Sequence, residues 1–314
     1  MFKKKAFFSK YWLKYTNRPG YTRYKWELAN DKKIRYADAV IGSPRLTNIK
    51  LIKAFAAASG EINFSHSGNA GDVIYALPTI KKIQELTGAK VNLYLTLGQP
   101  LLVTGYKEHP LGNVMLNQKM ADMLCPLLKA QPYINNCEVY TDQHIHIDLD
   151  YFRDGLVPMD KGNIARWCGY ITGINAELWQ QWLFVEPDTT FADTIIIARS
   201  ERYRSRAADY TFLSNYKNIK FIGVKSEYDD IKQFIPHIQW IEMKDFLQMA
   251  QTIAGCKFFI GNQSFPFSVA EALKVPRILE VSFDVINVVP EGGNGYDFLF
   301  QDHFETLVEM LNNN

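Results

Sequence analysis

Cysteine is scarce in this chain. Cys125, Cys137, Cys168 and Cys256 stand far apart among 314 residues, with no paired-ligand spacing. That pattern argues against a zinc ribbon or a disulfide framework and fits reduced, mostly buried thiols in a cytosolic protein. Long apolar runs are also missing: none reaches the roughly 18 residues of a membrane span. Ala6-Phe7-Phe8, behind a basic N-terminus, is too short for a signal-peptide core. There is no G-x-G-x-x-G and no P-loop Lys-Ser/Thr, so neither a dinucleotide fold nor a P-loop is indicated. Short-period repeats and low-complexity tracts are absent as well.

What is present is ample core material. Apolar residues make up 47% and aromatics 14%, which excludes wholesale disorder. At 314 residues the chain exceeds one ordinary core, so two domains are expected. The near-neutral net charge of +2 hides an asymmetry. Residues 1–53 hold 14 Lys/Arg against 3 Asp/Glu, a net of +11, and ten aromatics. Basic residues interleaved with rings suit an anionic membrane surface, a nucleic-acid backbone, or an arm packed on the acidic body. The expected location is cytoplasmic, with a peripheral place at the inner face of the membrane if the arm binds lipid.

From Glu61 onward, apolar runs of strand length alternate with helical patterns. Strands are expected at Ile62–Ser65, Val91–Leu97, Cys137–Tyr140 and Ile145–Leu149. Helices are expected at Val73–Leu86, Met115–Lys129 and Ile164–Thr172. After a linker at Pro187–Thr190 the alternation restarts. Strands are then expected at Thr194–Ala198, Ile219–Val224, Ile238–Ile241, Phe258–Ile260 and Arg277–Val281. Helices are expected at Tyr210–Tyr216, Tyr228–Phe234, Phe246–Ile253, Pro266–Lys274 and Phe304–Leu311. Such alternation calls for parallel sheets covered on both faces. The expected architecture is α/β: two Rossmann-like domains facing across a cleft, residues 59–187 and 188–314, after a basic aromatic extension, residues 1–58.

Ligands bind at the carboxyl ends of such strands, and four loops there carry polar residues. In Ser65-His66-Ser67-Gly68-Asn69-Ala70-Gly71-Asp72, the glycines Gly68 and Gly71 and the polar Asn69 allow close approach to a ligand. Asp72 sits where a capping residue would sit, and is equally a candidate general base; His66 is the second candidate. Arg199, Arg202, Arg204 and Arg206 crowd the end of the Thr194–Ala198 strand, where forked guanidiniums would clamp phosphates or form a solvated basic loop. Glu227 holds the same position after the next strand, to bind a sugar or ribose hydroxyl or to cap a helix. Asn262-Gln263-Ser264 leads into a helix whose N-terminus, with Pro266 in its first turn, favours a diphosphate. His144, His146, Asp148 and Asp150 share one face of their strand but lack a further ligand cluster, so no metal is assigned.

Two of these stretches together resemble a known family. Asn69-Ala-Gly-Asp-Val-Ile-Tyr-Ala-Leu-Pro78 resembles the G-D-V-x-x-x-x-P segment of the ADP-heptose:lipopolysaccharide heptosyltransferases, glycosyltransferase family 9. Phe259 to Pro276 resembles that family's G-N-D-S-G-x-x-H-L-A-A-A-L-G-x-P, and Ile145-His-Ile-Asp-Leu149 its internal I-D-L strand. The likeness spans residues 61–313 and leaves the basic extension outside. It implies a GT-B glycosyltransferase, inverting and metal-independent, that needs no cofactor and takes a nucleotide-diphosphate sugar as substrate. Asp72 matches the family's catalytic base. Its donor-binding Asp falls on Gln263, its Gly on Phe265 and its His on Ser268, so the donor motif is divergent. Gln263 and Glu271 also stand eight apart, as the acids of the E-x7-E motif do in other GT-B transferases. That likeness implies that Glu271 holds the donor ribose.

Together these readings give a hexosyl- or heptosyl-transferring enzyme. The acceptor hydroxyl belongs to a glycan or a modified nucleic acid, and the segment Gly98–Gly112 borders it. The alternatives are a catalytically silent sugar-nucleotide or glycan-binding protein, and a pyruvyl-transferase-like enzyme.

Overall fold

The computed structural model describes residues 2–42, 44–101, 113–154 and 157–313. Three helices come first: α1 (Phe7–Thr16), α2 (Arg18–Ile41) and α3 (Ile49–Ser59). The basic extension is therefore helical, although it buries almost nothing: Tyr24 is the one described residue of α1 and α2 that is buried. In α3, Asn48 accepts the Lys50 and Leu51 N–H groups at the start, and Gly60 ends the helix in the left-handed conformation.

The first α/β unit follows: β1 (Glu61–His66), α4 (Ala70–Thr87), β2 (Lys90–Leu95), α5 (Gln118–Lys129), β3 (Asn136–Val139), β4 (Ile147–Asp148) and α6 (Trp167–Thr172). Its four parallel strands lie in the order β3-β2-β1-β4. The fourth strand is shorter than the sequence pattern predicts. His146 Nδ1 accepts the Asn63 N–H at 2.9 Å, so an imidazole takes over part of the edge that a longer strand would pair. The expected face of four polar side chains is thus broken up. Residues 164–172 begin as a 3-10 turn, not as one continuous helix.

The second unit runs β5 (Ile195–Ala198), β6 (Ile219–Ile222), α7 (Lys225–Lys232), β7 (Gln239–Ile241), α8 (Phe246–Gly255), β8 (Phe258–Asn262), α9 (Phe265–Leu273), β9 (Arg277–Glu280), β10 (Gly295–Phe298) and α10 (Gln301–Asn313). All six strands are parallel, in the order β10-β9-β8-β5-β6-β7. The order reverses between β5 and β8, which makes the carboxyl ends of those two strands the natural ligand crevice. The predicted helix at 210–216 is a 3-10 turn over Thr211–Asn215, and β10, an edge strand of four residues after a glycine-rich run, has no counterpart in the sequence reading.

Strand β5 shows how the core is partitioned. Ile196 and Ala198 join a cluster that continues through α9 and α4 into the first sheet, while Ile195 and Ile197 face a second cluster with Phe221, Phe258 and Phe304. One apolar core thus joins the two units through the packed pair α4 and α9.

That junction has a specific clasp. Pro78 lies inside α4 and cannot donate to the carbonyl of Ile74, four residues earlier. The indole Nε1 of Trp182 donates to that carbonyl instead, at 3.1 Å, and the Trp182 backbone N–H bonds to Ala272 of α9. Trp182 is 1% exposed, and Tyr133 holds its carbonyl. Trp182→Phe keeps the ring but orphans the Ile74 carbonyl. It is expected to lower stability by about 1–3 kcal/mol in urea titration; an unchanged midpoint would mean the clasp carries nothing.

Candidate functional site

In the first unit the order reverses between β1 and β4, and the loops leaving those strands interlock there. The Ser67 N–H donates to Asp150 Oδ2. Arg153, on the 3-10 turn after β4, donates through Nε to Asp150 Oδ1 (3.0 Å) and through Nη2 to Asp72 Oδ2 (2.6 Å). The sequence reading missed Arg153, whose partner Asp72 lies 81 residues away. Its spacing three residues after Asp150 was the only available signal.

Asp72 is not the first capping residue. Asn69 caps α4 and Asp72 is its third helical residue, closing a capping box by accepting the Asn69 N–H at 3.2 Å. Both bonds converge on Oδ2, no bond from the described residues reaches Oδ1, and the side chain is 18% exposed. A Cβ on Gly68 would lie 2.6 Å from Arg153 Nη2 and from Asp72 Oδ2, so only glycine lets the loop close over the pair.

His66 does not share this position. It is fully buried, its Nδ1 accepts the Gly68 N–H at 2.9 Å, and its buried Nε2 has no hydrogen-bond partner among the described residues. Closed off from solvent, His66 holds the loop in this arrangement and presents no ring nitrogen at the surface.

The second crevice, between β5 and β8, is laced by Asn262. Its Oδ1 accepts the Ser200 N–H, and its Nδ2 donates to the carbonyls of Ser200 and Arg202 at 2.8 Å each. Asn262 therefore shapes the arginine loop from beneath, with no side-chain group left over for a donor. Gln263 is similarly committed, donating to Val285 O and Asn287 Oδ1 and accepting the Ser282 N–H, which fixes the loop after β9. Ser268 is buried and donates to Phe265 O.

Three further residues expected to bind the donor are committed within the protein. Arg199 forks onto Glu280 at 2.7 and 2.8 Å and lies over the Tyr210 ring. Arg204 bonds Asp230 Oδ2 and the carbonyls of Ser200 and Arg199, tying down its own loop. Glu271 is 1% exposed and spends both oxygens on Lys274, Arg277 and the Glu291 N–H. A ribose contact would require some of these bonds to break. Burial pulls the neighbouring Lys274 ammonium down to about 8, although Glu271 works against the shift.

Arg202 and Arg206 remain: neither has an ion pair among the described residues, and Arg206 is exposed. Glu227 accepts the Glu201 N–H at 3.2 Å from the first turn of α7, and burial pushes its carboxyl up. Ser264 is half-buried and precedes α9 without a side-chain capping bond. The contrast with α4 is informative. The first turn of α4 already faces its own Asp72, whereas α9 starts without a side-chain cap; Pro266 there has no N–H and the Phe267 N–H goes to the Ser264 carbonyl, which leaves the Phe265 N–H and the helix dipole to face an anion.

The two helix starts lie side by side. A Cβ on Gly71 would sit 3.7 Å from Phe265 Cα and from Ser268 Oγ, so Gly71 brings the Asp72 turn against the α9 turn. Phe265 packs on Phe246 with ring centroids 4.2 Å apart. Phe283, just past β9, is 57% exposed beside the loop that Gln263 fixes. Of the segment Gly98–Gly112, residues 102–112 lie outside the described residues. Its stem pairs Leu101 with Asn113 and Gln99 with Met115. Among the described residues no three His, Cys, Asp or Glu side chains gather as metal ligands do, and no helix is long and apolar enough to cross a membrane.

No protein-family model matches the chain, and no curated protein matches it. Solved structures do. A family 9 glycosyltransferase from Veillonella parvula DSM 2008 superposes with a TM-score of 0.52 and 11% identity, covering 80% of this chain and 88% of that one. The E. coli heptosyltransferase WaaC, solved with ADP-2-deoxy-2-fluoro heptose, gives 0.54 and 10%, covering 80% and 99%. The same heptosyltransferase with ADP gives identical values. Two parallel sheets, their switch-point loops meeting over the starts of α4 and α9, place this chain in the GT-B fold of these glycosyltransferases.

Proposed function

We propose that the chain transfers a sugar from a nucleotide-diphosphate donor to an acceptor hydroxyl, with inversion and without a metal. The observation that carries the reading is the juxtaposition of Asp72, whose Oδ1 takes no bond from the described residues, and the start of α9, which has no side-chain cap. The donor diphosphate lies on that turn, where the Phe265 N–H and the positive end of the helix dipole favour negative charge. Arg202 and Arg206 approach it from the loop after β5. Asp72 takes the proton of the acceptor hydroxyl as its oxygen bonds to the anomeric carbon. The bond from that carbon to the diphosphate oxygen breaks, and the nucleoside diphosphate leaves with the electron pair. Developing negative charge then falls where the helix start and the arginines already stabilise it.

A catalytically silent binding protein is the second reading, favoured by the Arg153 pairing of Asp72 and by the internal commitments of Gln263 and Glu271. Thermal shift with ADP, UDP, GDP and CDP is the first test. One nucleotide at 100 times its Kd is expected to add about 2.7 kcal/mol of apparent stability. Arg202→Ala with Arg206→Ala should abolish that gain. No shift with any nucleotide would refute the donor site. A shift without turnover across donor and acceptor panels would favour the silent reading, and consumption of phosphoenolpyruvate would favour a pyruvyl transferase.

A further inference from the structure

Helix α1 is built the wrong way round for a soluble protein. A surface helix normally turns its apolar stripe inward. In α1 the half-buried positions are Lys10, Leu13 and Lys14, while Phe8, Trp12 and Tyr15 are 84%, 73% and 74% exposed. Their spacing of four and three places the three rings on one face, with Tyr11 beside them at 45%. No residue of α1 is buried. The flanking charge has one sign: residues 1–26 contain eight Lys/Arg and no Asp or Glu.

We propose that α1 lies in the interface of an anionic phospholipid bilayer. Phe8, Trp12 and Tyr15 enter the headgroup level, and Lys3, Lys4, Lys5, Lys10, Lys14 and Arg18 pair with lipid phosphates. At 10 residues the helix is about 15 Å long, so it lies on a bilayer and does not cross it. Aromatic rings on one helix face with lysines around them are the composition of an interfacial helix. A single-stranded nucleic acid would instead need rings spaced along a groove, whereas these form one convex face.

The helix is not a loose tail. Phe2 stacks on Tyr24 at 5.6 Å, and the Lys5 N–H donates to the Tyr24 hydroxyl, so the segment before α1 is held on α2. Tyr36 of α2 in turn donates to the carbonyl of Tyr151, on the 3-10 turn that carries Arg153. Bilayer contact through α1 is thereby linked to the rim of the Asp72 site, so the surface that delivers an acceptor would be a membrane. The lipid contact itself does not depend on the glycosyl-transfer reading, because it is measured with no donor present.

The test is co-sedimentation of the full chain with vesicles of phosphatidylcholine alone and of phosphatidylcholine mixed with phosphatidylglycerol, whose negative surface potential attracts polybasic segments. Binding to the anionic vesicles is expected to exceed binding to neutral ones by about tenfold or more and to fall with salt. Phe8→Ser with Trp12→Ser should remove about tenfold of it, with an unchanged circular dichroism melt because both side chains are exposed. Lys3, Lys4 and Lys5 changed together to Glu should do the same. Equal binding to both vesicle types, or binding untouched by the ring substitutions, would overturn the proposal. Salt-sensitive binding to single-stranded DNA by a chain that ignores the vesicles would overturn it in favour of a nucleic acid.

Discussion

Asp72→Asn is expected to lower the turnover number by about 100- to 10,000-fold, the usual contribution of a positioned general base. The donor KM should stay near its original value, because the proposed diphosphate site is the start of α9 and the arginine loop, not Asp72. Asparagine keeps the size of the side chain and can still accept the Asn69 N–H that closes the capping box, so the start of α4 survives. What disappears is a carboxylate able to hold a proton at Oδ1. Turnover within about threefold of the unaltered protein would remove Asp72 from the chemistry, since a base worth less than 1 kcal/mol is not a base in this sense.

Arg153 should act through Asp72 rather than on the substrate. Its Nη2 holds Asp72 Oδ2 while its Nε is anchored on Asp150, so it fixes which carboxylate oxygen faces the acceptor. Arg153→Ala is therefore expected to reduce turnover less than Asp72→Asn does, because the carboxylate is retained but no longer aimed. Joining the two substitutions should cost little beyond Asp72→Asn alone, the non-additivity of residues working as one unit. Full additivity would mean that Arg153 has its own contact with the substrate.

The parts of this fold that could be read from sequence are those with local causes. Phe258–Ile260 and Ile195–Ile197 are continuous apolar runs because central parallel strands are buried on both faces, and that burial writes itself into consecutive residues. The start of α9 is legible to within one residue from Pro266, whereas α4 begins three residues before the expected Val73, because Asn69 and not Asp72 is its cap. The surroundings of the site residues are not legible where the cause is distant. Arg199, Arg202, Arg204 and Arg206 look alike in the chain, yet Arg199 is sequestered by Glu280, 81 residues on, and Arg204 by Asp230. Glu271 had the spacing of a ribose ligand but sits against Lys274, at the end of its own helix, and Arg277, the first residue of β9. The extension failed for another reason. Because α1 and α2 bury almost nothing, no inward-facing apolar stripe marks them as helices.

Glu280→Gln is expected to destabilise the protein by about 3–5 kcal/mol, the cost of leaving a buried charge without its partner. Glu280 is fully buried and accepts four bonds: two from Arg199, one from the Ser205 N–H and one from the Tyr210 hydroxyl. Burial and the carboxylate push the Tyr210 phenol well above its ordinary value, so it stays protonated and can donate. A glutamine amide presents one acceptor oxygen where two are needed and turns its NH2 toward a guanidinium. Urea titration followed by circular dichroism reads the loss. Replacing the pair together, Arg199→Met with Glu280→Leu, should recover much of it, because neither charge is then left unpaired. Nucleotide affinity of that double variant decides the role of Arg199. Affinity within about threefold of the original places phosphate recognition on Arg202, Arg206 and the start of α9. A loss of more than tenfold, or about 1.4 kcal/mol, would show that the buried fork reopens toward the phosphates when donor binds.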